Sequence, residues 1–209
     1  MSPFPPPHAL ILAGGLGRRM DALAHGAPEK PLVRLSGMPL IAHVIARLRP
    51  QVSQLWINAN GDPQAYAGFG CELVPDTISG HPGPLAGVLA GLERLASEDA
   101  QASLLTVPAD TPFLPADLAA RLQARQAETG GVVCAGSQGQ RHPVIALWPA
   151  SARTALRHSL MAGRLKVGLL LDTLNAVTEG WDSEPDDPFF NVNTPEDLAI
   201  AEIRRTARQ

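Results

Sequence analysis

The chain has 209 residues, 45% hydrophobic and 18% charged, which suits one α/β domain with a real buried core and leaves two full domains cramped. The formal net charge of -3 argues against a nucleic-acid groove, so any phosphate binding must be a local site. No apolar run is long enough to span a bilayer.

The opening stretch Met1-Ser-Pro-Phe-Pro-Pro-Pro lacks the cationic start and continuous apolar core of a signal peptide. It reads as a short extended tail over residues 1–7 that does not fold, ahead of a single domain over 8–209, and a cytoplasmic location is expected. His8–Ala13 is a short apolar run ending in glycines, hence a buried strand. Leu40 to Arg49 puts Leu40, Ile41, Val44, Ile45 and Leu48 on one helix face. Gln54–Asn58 is a second strand and Glu72–Pro75 a shorter third. Pro84 to Ala96 carries Leu85, Val88, Leu89, Leu92 and Leu95 at helical spacing. Ser103–Val107 is a fourth strand, and Pro115 to Gln126 another helix with Leu118 and Leu122 inward.

Gly131–Ala135 and Val144–Leu147 are two further strands joined by a polar loop, Gly136–His142, and a helix follows over Ala150–Met161. The last helix has the clearest local signature. Thr194 is its N-cap, Pro195 fits the first turn, Glu196 and Asp197 complement the positive end, and it runs to about Arg205. Strands alternating with helices give a three-layer, mostly parallel, Rossmann-like sheet with helices on both faces. Ligands of such sheets bind beyond the carboxyl ends of the strands. The two cysteines, Cys71 and Cys134, lie far apart without a CxxC or Cys/His cluster and read as reduced buried thiols.

The loop after the first strand is Leu12-Ala13-Gly14-Gly15-Leu16-Gly17-Arg18-Arg19-Met20. Its three glycines let backbone N–H groups approach a phosphate closely. Arg18 and Arg19 add forked donors, and Lys30 further along adds a mobile point charge. A P-loop needs a Gly-Lys-Ser/Thr ending, which is absent. A dinucleotide fingerprint needs a glycine where Met20 stands and an acid where Asn58 stands, so it fails too.

Pro108-Ala109-Asp110-Thr111-Pro112 ends the fourth strand. Asp110 offers hard oxygen to Mg²⁺ at the same sheet edge, and magnesium takes only one or two carboxylates before filling its shell with water and phosphates. Asn58-Ala59-Asn60 and Pro75-Asp76 end the second and third strands, where Asn and Asp can read a base or ribose hydroxyl but are also ordinary turn residues. Gly80-His81-Pro82-Gly83-Pro84 leads into a helix whose free N–H groups point at the pocket. Arg141-His142-Pro143 and Asn191-Val192-Asn193 offer further polar groups. His142 serves as a base, as a phosphate donor or as a plain hydrogen-bonded loop histidine, and Arg164 and Lys166 face an anionic acceptor or simply solvent.

In this order, LAGGLGRRM, PLIAHVIARL, NAN, GPLAGV, PADTPFLPADLAARL, RHPV and NVNTPEDLA resemble the molybdenum cofactor guanylyltransferase family from His8 to about Arg205. The resemblance implies an α/β nucleotide-diphospho-sugar transferase type of fold, GTP as substrate, Mg²⁺ or Mn²⁺ as cofactor, and molybdopterin or Mo-molybdopterin as acceptor. The product would pass to molybdoenzymes or their chaperones, with no nucleic acid and no membrane involved. It assigns nucleotide binding to Leu12, Ala13, Gly14, Gly15, Lys30, Asn58, Asp76 and Asp110, with Asp110 on the metal, and catalysis to Arg19, Lys30 and Asp110. It assigns the acceptor side to Arg19, Gly83, Arg141, His142, Asn191 and Asn193.

The related cytidylyltransferases carry LAAG and another tripeptide around the metal Asp, so both places favour guanine here. The family has Gly-Gly after the Met and then Asp-Lys, whereas this chain has Asp21-Ala22 and a longer loop ending Pro28-Glu29-Lys30-Pro31. That ending is similar to sugar nucleotidyltransferases. Transfer of CMP or of a nucleotide to a sugar phosphate is the rival enzymatic reading. A cofactor-delivery adaptor for molybdoenzymes is the non-enzymatic one.

Overall fold

The computed structural model describes residues 4–14, 29–78 and 83–207. A seven-stranded sheet has the order β5-β4-β1-β6-β8-β7-β9. Its strands are β1 (His8–Leu12), β4 (Gln54–Asn58), β5 (Glu72–Leu73), β6 (Ser103–Pro108), β7 (Val133–Ser137), β8 (Gln140–Pro149) and β9 (Val177–Trp181). β8 runs antiparallel to both neighbours, and all other pairings are parallel. The small hairpin of β2 (Arg34–Leu35) and β3 (Met38–Pro39) lies apart.

Alternation along β1 builds the three layers. Ala9 and Ile11 face α1 (Leu40–Leu48) and α3 (Leu118–Thr129), packing with Val44, Leu48, Leu118 and Leu122. Leu10 faces the opposite way onto α2 (Pro84–Ala96), α4 (Arg153–Met161) and α5 (Val167–Thr173), among Val88, Leu92, Leu156 and Leu171. Each such buried Leu contributes roughly 1.5–3 kcal/mol relative to exposure. A third, smaller core joins Leu35 and Leu40 to Phe113, Val192 and Ala201 of α6 (Pro195–Thr206), fixing the last helix beside the hairpin.

The structure departs from the sequence expectations in the second half. The loop expected over Gly136–His142 is a tight hairpin. Ser137 pairs with Gln140 across Gln138 (φ 52) and Gly139 (φ 72), the two positive-φ positions a right-twisted hairpin favours. Pro143 has no N–H for the ladder, and the register shifts there, between Cys134↔Ala146 and Ala135↔His142. Helix α3 starts at Leu118, not Pro115. A 3-10 turn, Ala150–Ala152, precedes α4. Helix α5 and strand β9 were not expected: α5 is only seven residues with Leu169 exposed, and β9 alternates without a strong apolar face.

The described part of the N-terminal stretch lies against the domain. Pro7 is buried and its carbonyl accepts from Ser53 N at 2.9 Å, while the Pro5 carbonyl accepts from Gln123 Nε2 at 2.7 Å. Both cysteines are free, Cys134 buried and Cys71 half-buried, and burial pushes both thiols up. Among the described residues no helix is long and apolar enough to cross a membrane.

Candidate active site

Register places the carboxyl ends of three strands side by side, with Leu12 opposite both Asn58 of β4 and Pro108 of β6. The ladder continues one residue past each strand: Ala13 N donates to Asn58 O at 2.9 Å and Ala109 N to Leu12 O at 3.1 Å. Neighbouring strands lie about 4.8 Å apart, so the ends of β4 and β6 stand about 10 Å apart with Leu12 and Gly14 between them.

On the β6 side, Lys30 Nζ donates to Asp110 Oδ2 in a direct ion pair and to Asn193 Oδ1 at 2.5 Å. Lys30 opens a 3-10 turn, Lys30–Leu32, with Pro31 buried behind it. Glu29, just before it, accepts from the Tyr66 hydroxyl at 2.9 Å. Burial and that carboxylate push the Tyr66 phenol far up, so it remains a donor. Backbone bonds hold the other partners. Val192 N donates to Asp110 O at 2.9 Å, and Thr111 Oγ1 donates to Asn191 Oδ1 at 2.6 Å. Asp197 Oδ2 accepts from the backbone N of both Asn193 and Thr194 at 2.9 Å, completing the capping box of α6. Asp110 Oδ1 is buried and has no hydrogen-bond partner among the described residues.

On the β4–β5 side, Asn58 Nδ2 donates to Val74 O and to Asp76 Oδ1, both at 2.9 Å. Asn60 Nδ2 donates to Asp76 Oδ2 at 2.8 Å, and Asn60 Oδ1 accepts from Asp76 N at 2.9 Å. Gly14 lies over these amides: a Cβ there would stand 3.4 Å from Asn60 Nδ2. A Cβ on Gly87 of α2 would stand 2.2 Å from Asn58 Oδ1, so the helix approaches Asn58 closely only because it carries glycine there.

On the β8–β7 side, His142 Nε2 lies 2.7 Å from Ser137 Oγ, which donates to Asp187 Oδ1 at 2.8 Å. The hydroxyl gives its one proton to Asp187, so His142 Nε2 must carry the proton between them. The His142 ring lies 4.8 Å from Phe189, and burial lowers its pKa while the Asp187 charge opposes that. Arg141 is held at 2.6 Å by Asp172 of α5. Gly83 is the N-cap of α2 at φ 146, a conformation left to glycine.

The residues read from the sequence therefore gather at one rim. Lys30, Asp110, Asn191 and Asn193 form one centre, and Asn58, Asp76 and Gly14 a second beside it, with Leu12 and Ala13 in the backbone between. His142 and Arg141 belong to the neighbouring β7–β8 hairpin, and the 187–193 segment joins that hairpin to the Lys30 centre. Gly15, Arg18, Arg19 and His81 lie outside the described residues.

Comparison with known proteins places the chain in a family. The model of the MobA-like NTP transferase domain matches residues 9–175. The chain belongs to the MobA-like NTP transferase family.

Molybdenum cofactor guanylyltransferase of Rhodopseudomonas palustris (strain BisB5) is 47% identical over 97% of this chain and 95% of the relative. Its namesake from Bradyrhizobium sp. (strain ORS 278) is 48% identical over 92% of this chain and 90% of the relative. Among solved structures, molybdopterin-guanine dinucleotide biosynthesis protein A from Archaeoglobus fulgidus superposes with a TM-score of 0.76 at 26% identity, covering 96% of this chain and 99% of that one. A CMP:2-keto-3-deoxy-manno-octonic acid synthetase complexed with CTP shares the fold, with a TM-score of 0.68 at 15% identity over 97% and 98% of the two chains.

Within this MobA-like transferase, several residues of the rim escaped the sequence reading. Ser137 sits in a stretch taken as loop and Asp187 in one given no element, and nothing local links them. Tyr66 carries no motif, yet it fixes the residue preceding Lys30. Gly87 lies inside GPLAGV, but its close approach to Asn58 was not read from the sequence. For a divalent cation the fitting donor is Asp110, whose Oδ1 is buried and unpartnered. Among the described residues no group of three or more His, Cys, Asp or Glu side chains gathers to hold a metal. One carboxylate completed by substrate phosphates and water is the arrangement magnesium accepts.

Proposed function

We propose that this protein transfers GMP from GTP to the terminal phosphate of molybdopterin or Mo-molybdopterin, releasing pyrophosphate and forming a guanine dinucleotide cofactor. The observation that carries the reading is the Lys30–Asp110 pair at the strand ends, with one Asp110 oxygen left without a partner among the described residues. The names of the relatives at 47% and 48% identity support the choice of guanine and of the pterin acceptor.

The acceptor phosphate has a second pKa near ~6 and is an anion at neutral pH. Its oxygen bonds to the α-phosphorus of GTP as the bond from that phosphorus to the bridging oxygen breaks, and pyrophosphate leaves with the electron pair. No general base is required. The obstacle is repulsion between two polyanions, roughly 4 kcal/mol per charge pair at 4 Å and an effective dielectric of ~20. Lys30 and Arg19 oppose that repulsion with fixed positive charge, and Lys30 exchanges its Asp110 and Asn193 partners for phosphate oxygens as the nucleotide binds. Asp110, released on one oxygen and without a partner among the described residues on the other, is the residue that would hold Mg²⁺ or Mn²⁺. When bound, such an ion supplies charge neutralisation to the phosphates. Backbone N–H groups of Leu12–Gly15 cradle the phosphates, Asn58 and Asp76 take the nucleoside, and Gly83, Arg141, His142, Asn191 and Asn193 line the acceptor side.

The product is expected to serve molybdoenzymes, directly or through their chaperones, in the cytoplasm. The test is mass spectrometry of the product after incubating purified protein with molybdopterin, Mg²⁺ and either GTP or CTP. A guanine dinucleotide with release of pyrophosphate is expected. A cytosine product, or none from either donor, would sink the proposal.

A further inference from the structure

Asp76 sits just past the outermost strand of its side of the sheet, two strands away from β1. Its carboxylate accepts one amide proton on each oxygen, from Asn58 and Asn60. A carboxylate has about four acceptor positions, so roughly one per oxygen is left, and the two amides fix the plane in which they point. Asn60 adds a second restraint, because its Oδ1 takes the Asp76 backbone N–H and so closes a two-bond lock on one residue. Asn58 is buried and fixed by Val74 and α2, whereas Asn60 is exposed and has no core role.

Such a lock presents an immobile pair of adjacent acceptors carrying negative charge. If the phosphates lie at Lys30 and Asp110, past β6, a group past β5, three strand spacings or about 14 Å away along the sheet edge, meets the far end of the nucleotide, the base. Guanine offers two adjacent donors there, N1–H and the 2-amino group. Hypoxanthine offers only N1–H. Adenine and cytosine each turn a ring-nitrogen lone pair toward the carboxylate, which repels it. From this we infer that Asn60 is a positioning residue for base selection: it aims Asp76 so that both oxygens meet the paired donors of guanine. The inference rests on the guanylyl-transfer reading and deepens it.

The experiment compares dissociation constants of GTP, ITP and dGTP, without acceptor, for the wild-type protein, Asn60→Ala and Asn60→Asp. Asn60→Asp keeps the acceptor for Asp76 N–H and replaces the donor by a second carboxylate, so it turns the aiming bond into a repulsion, whereas Asn60→Ala only removes it. Wild type is expected to favour GTP over ITP by about tenfold or more, because one hydrogen bond to a charged group is lost with the 2-amino group. Both variants are expected to bring that ratio to within about threefold of one, leaving GTP:dGTP and the melting temperature as in wild type. An unchanged GTP:ITP ratio in the variants overturns the inference, as does a wild type that ignores the 2-amino group. Collapse of GTP:dGTP instead shows that Asp76 faces the ribose and overturns it equally. GMP transfer by the wild type is scored separately, so the guanylyl-transfer reading stands or falls on its own assay.

Discussion

Lys30 and Asp110, eighty positions apart, meet as a direct ion pair whose ammonium also reaches Asn193. Asp110 keeps one buried oxygen without a partner among the described residues. A folding core does not tolerate such an atom freely; an uncompensated buried acceptor costs about 1–3 kcal/mol. On the proposed reading, that oxygen is the one offered to the ligand.

Asp110→Ala should therefore cost activity and spare the fold. The backbone bond from Val192 N to Asp110 O survives the change, and the removed carboxylate takes its unpartnered oxygen with it. Initial rates of GMP transfer should fall by about a thousandfold, in the range seen when an electrostatic catalytic group is lost. The melting temperature should move by only a few degrees. Near-normal transfer by the variant would remove Asp110 from the reaction.

Gly87→Ala reverses an ordinary rule. An alanine in a helix interior is usually about 1 kcal/mol more favourable than glycine. At Gly87 the new Cβ would stand 2.2 Å from Asn58 Oδ1 and 2.7 Å from Leu12 Cδ2, so the variant should lose about 1–3 kcal/mol and bind GTP more weakly. Gly168 of α5 has nothing within 4 Å of its Cβ position and is the control. Chemical denaturation of both variants decides the matter: Gly168→Ala should gain stability and Gly87→Ala lose it.

The cap of α6 divides stability from activity. Thr194→Ala removes the acceptor for Asp197 N and should cost about 1 kcal/mol, or roughly 2–4 °C in melting temperature. Asp197→Ala also frees the backbone of Asn193, the partner of Lys30. It should lower the transfer rate about tenfold, where Thr194→Ala leaves it nearly unchanged. Equal rates in the two variants would break the link between this cap and Lys30.

His43 makes stability depend on pH. Its Nε2 meets Leu35 O at 2.9 Å and its Nδ1 meets an Arg205 N–H at 3.0 Å, so the neutral ring satisfies both. Burial lowers its pKa below 6.5; the Leu35 carbonyl opposes this and the Arg205 charge adds to it. Below that value the unfolded chain takes up a proton that the folded chain refuses. Stability is thus present above pH 6.5 and lost as pH falls toward the lowered folded pKa. His142 shifts the same way, so the diagnostic is the difference: melting temperature should fall less steeply between neutral and mildly acidic pH in His43→Gln than in wild type.

How much of this could be read in advance varies along the chain. Elements with strong periodicity, such as the LIAHVIARL face of α1, the buried run of β1 and the Thr194 cap, lie where the sequence analysis put them. The hairpin turn at Gln138–Gly139 was missed because its signal is backbone geometry at two residues, not hydrophobic spacing. β9 was missed because its burial comes from neighbours supplied by β7 and α3, not from its own composition.

Chemistry and order along the chain were written locally: glycines after a strand, a lysine downstream, an aspartate at a strand end, a capped final helix. Those are short-range features, set by backbone sterics and side-chain type. Which of them touch was decided only by the tertiary structure. Lys30 meets Asp110 and Asn193, Asn60 locks Asp76, and Ser137 joins His142 to Asp187 because parallel strand register and helix packing carry distant residues to one rim. Such contacts are properties of the whole sheet, so no local window of residues contains them.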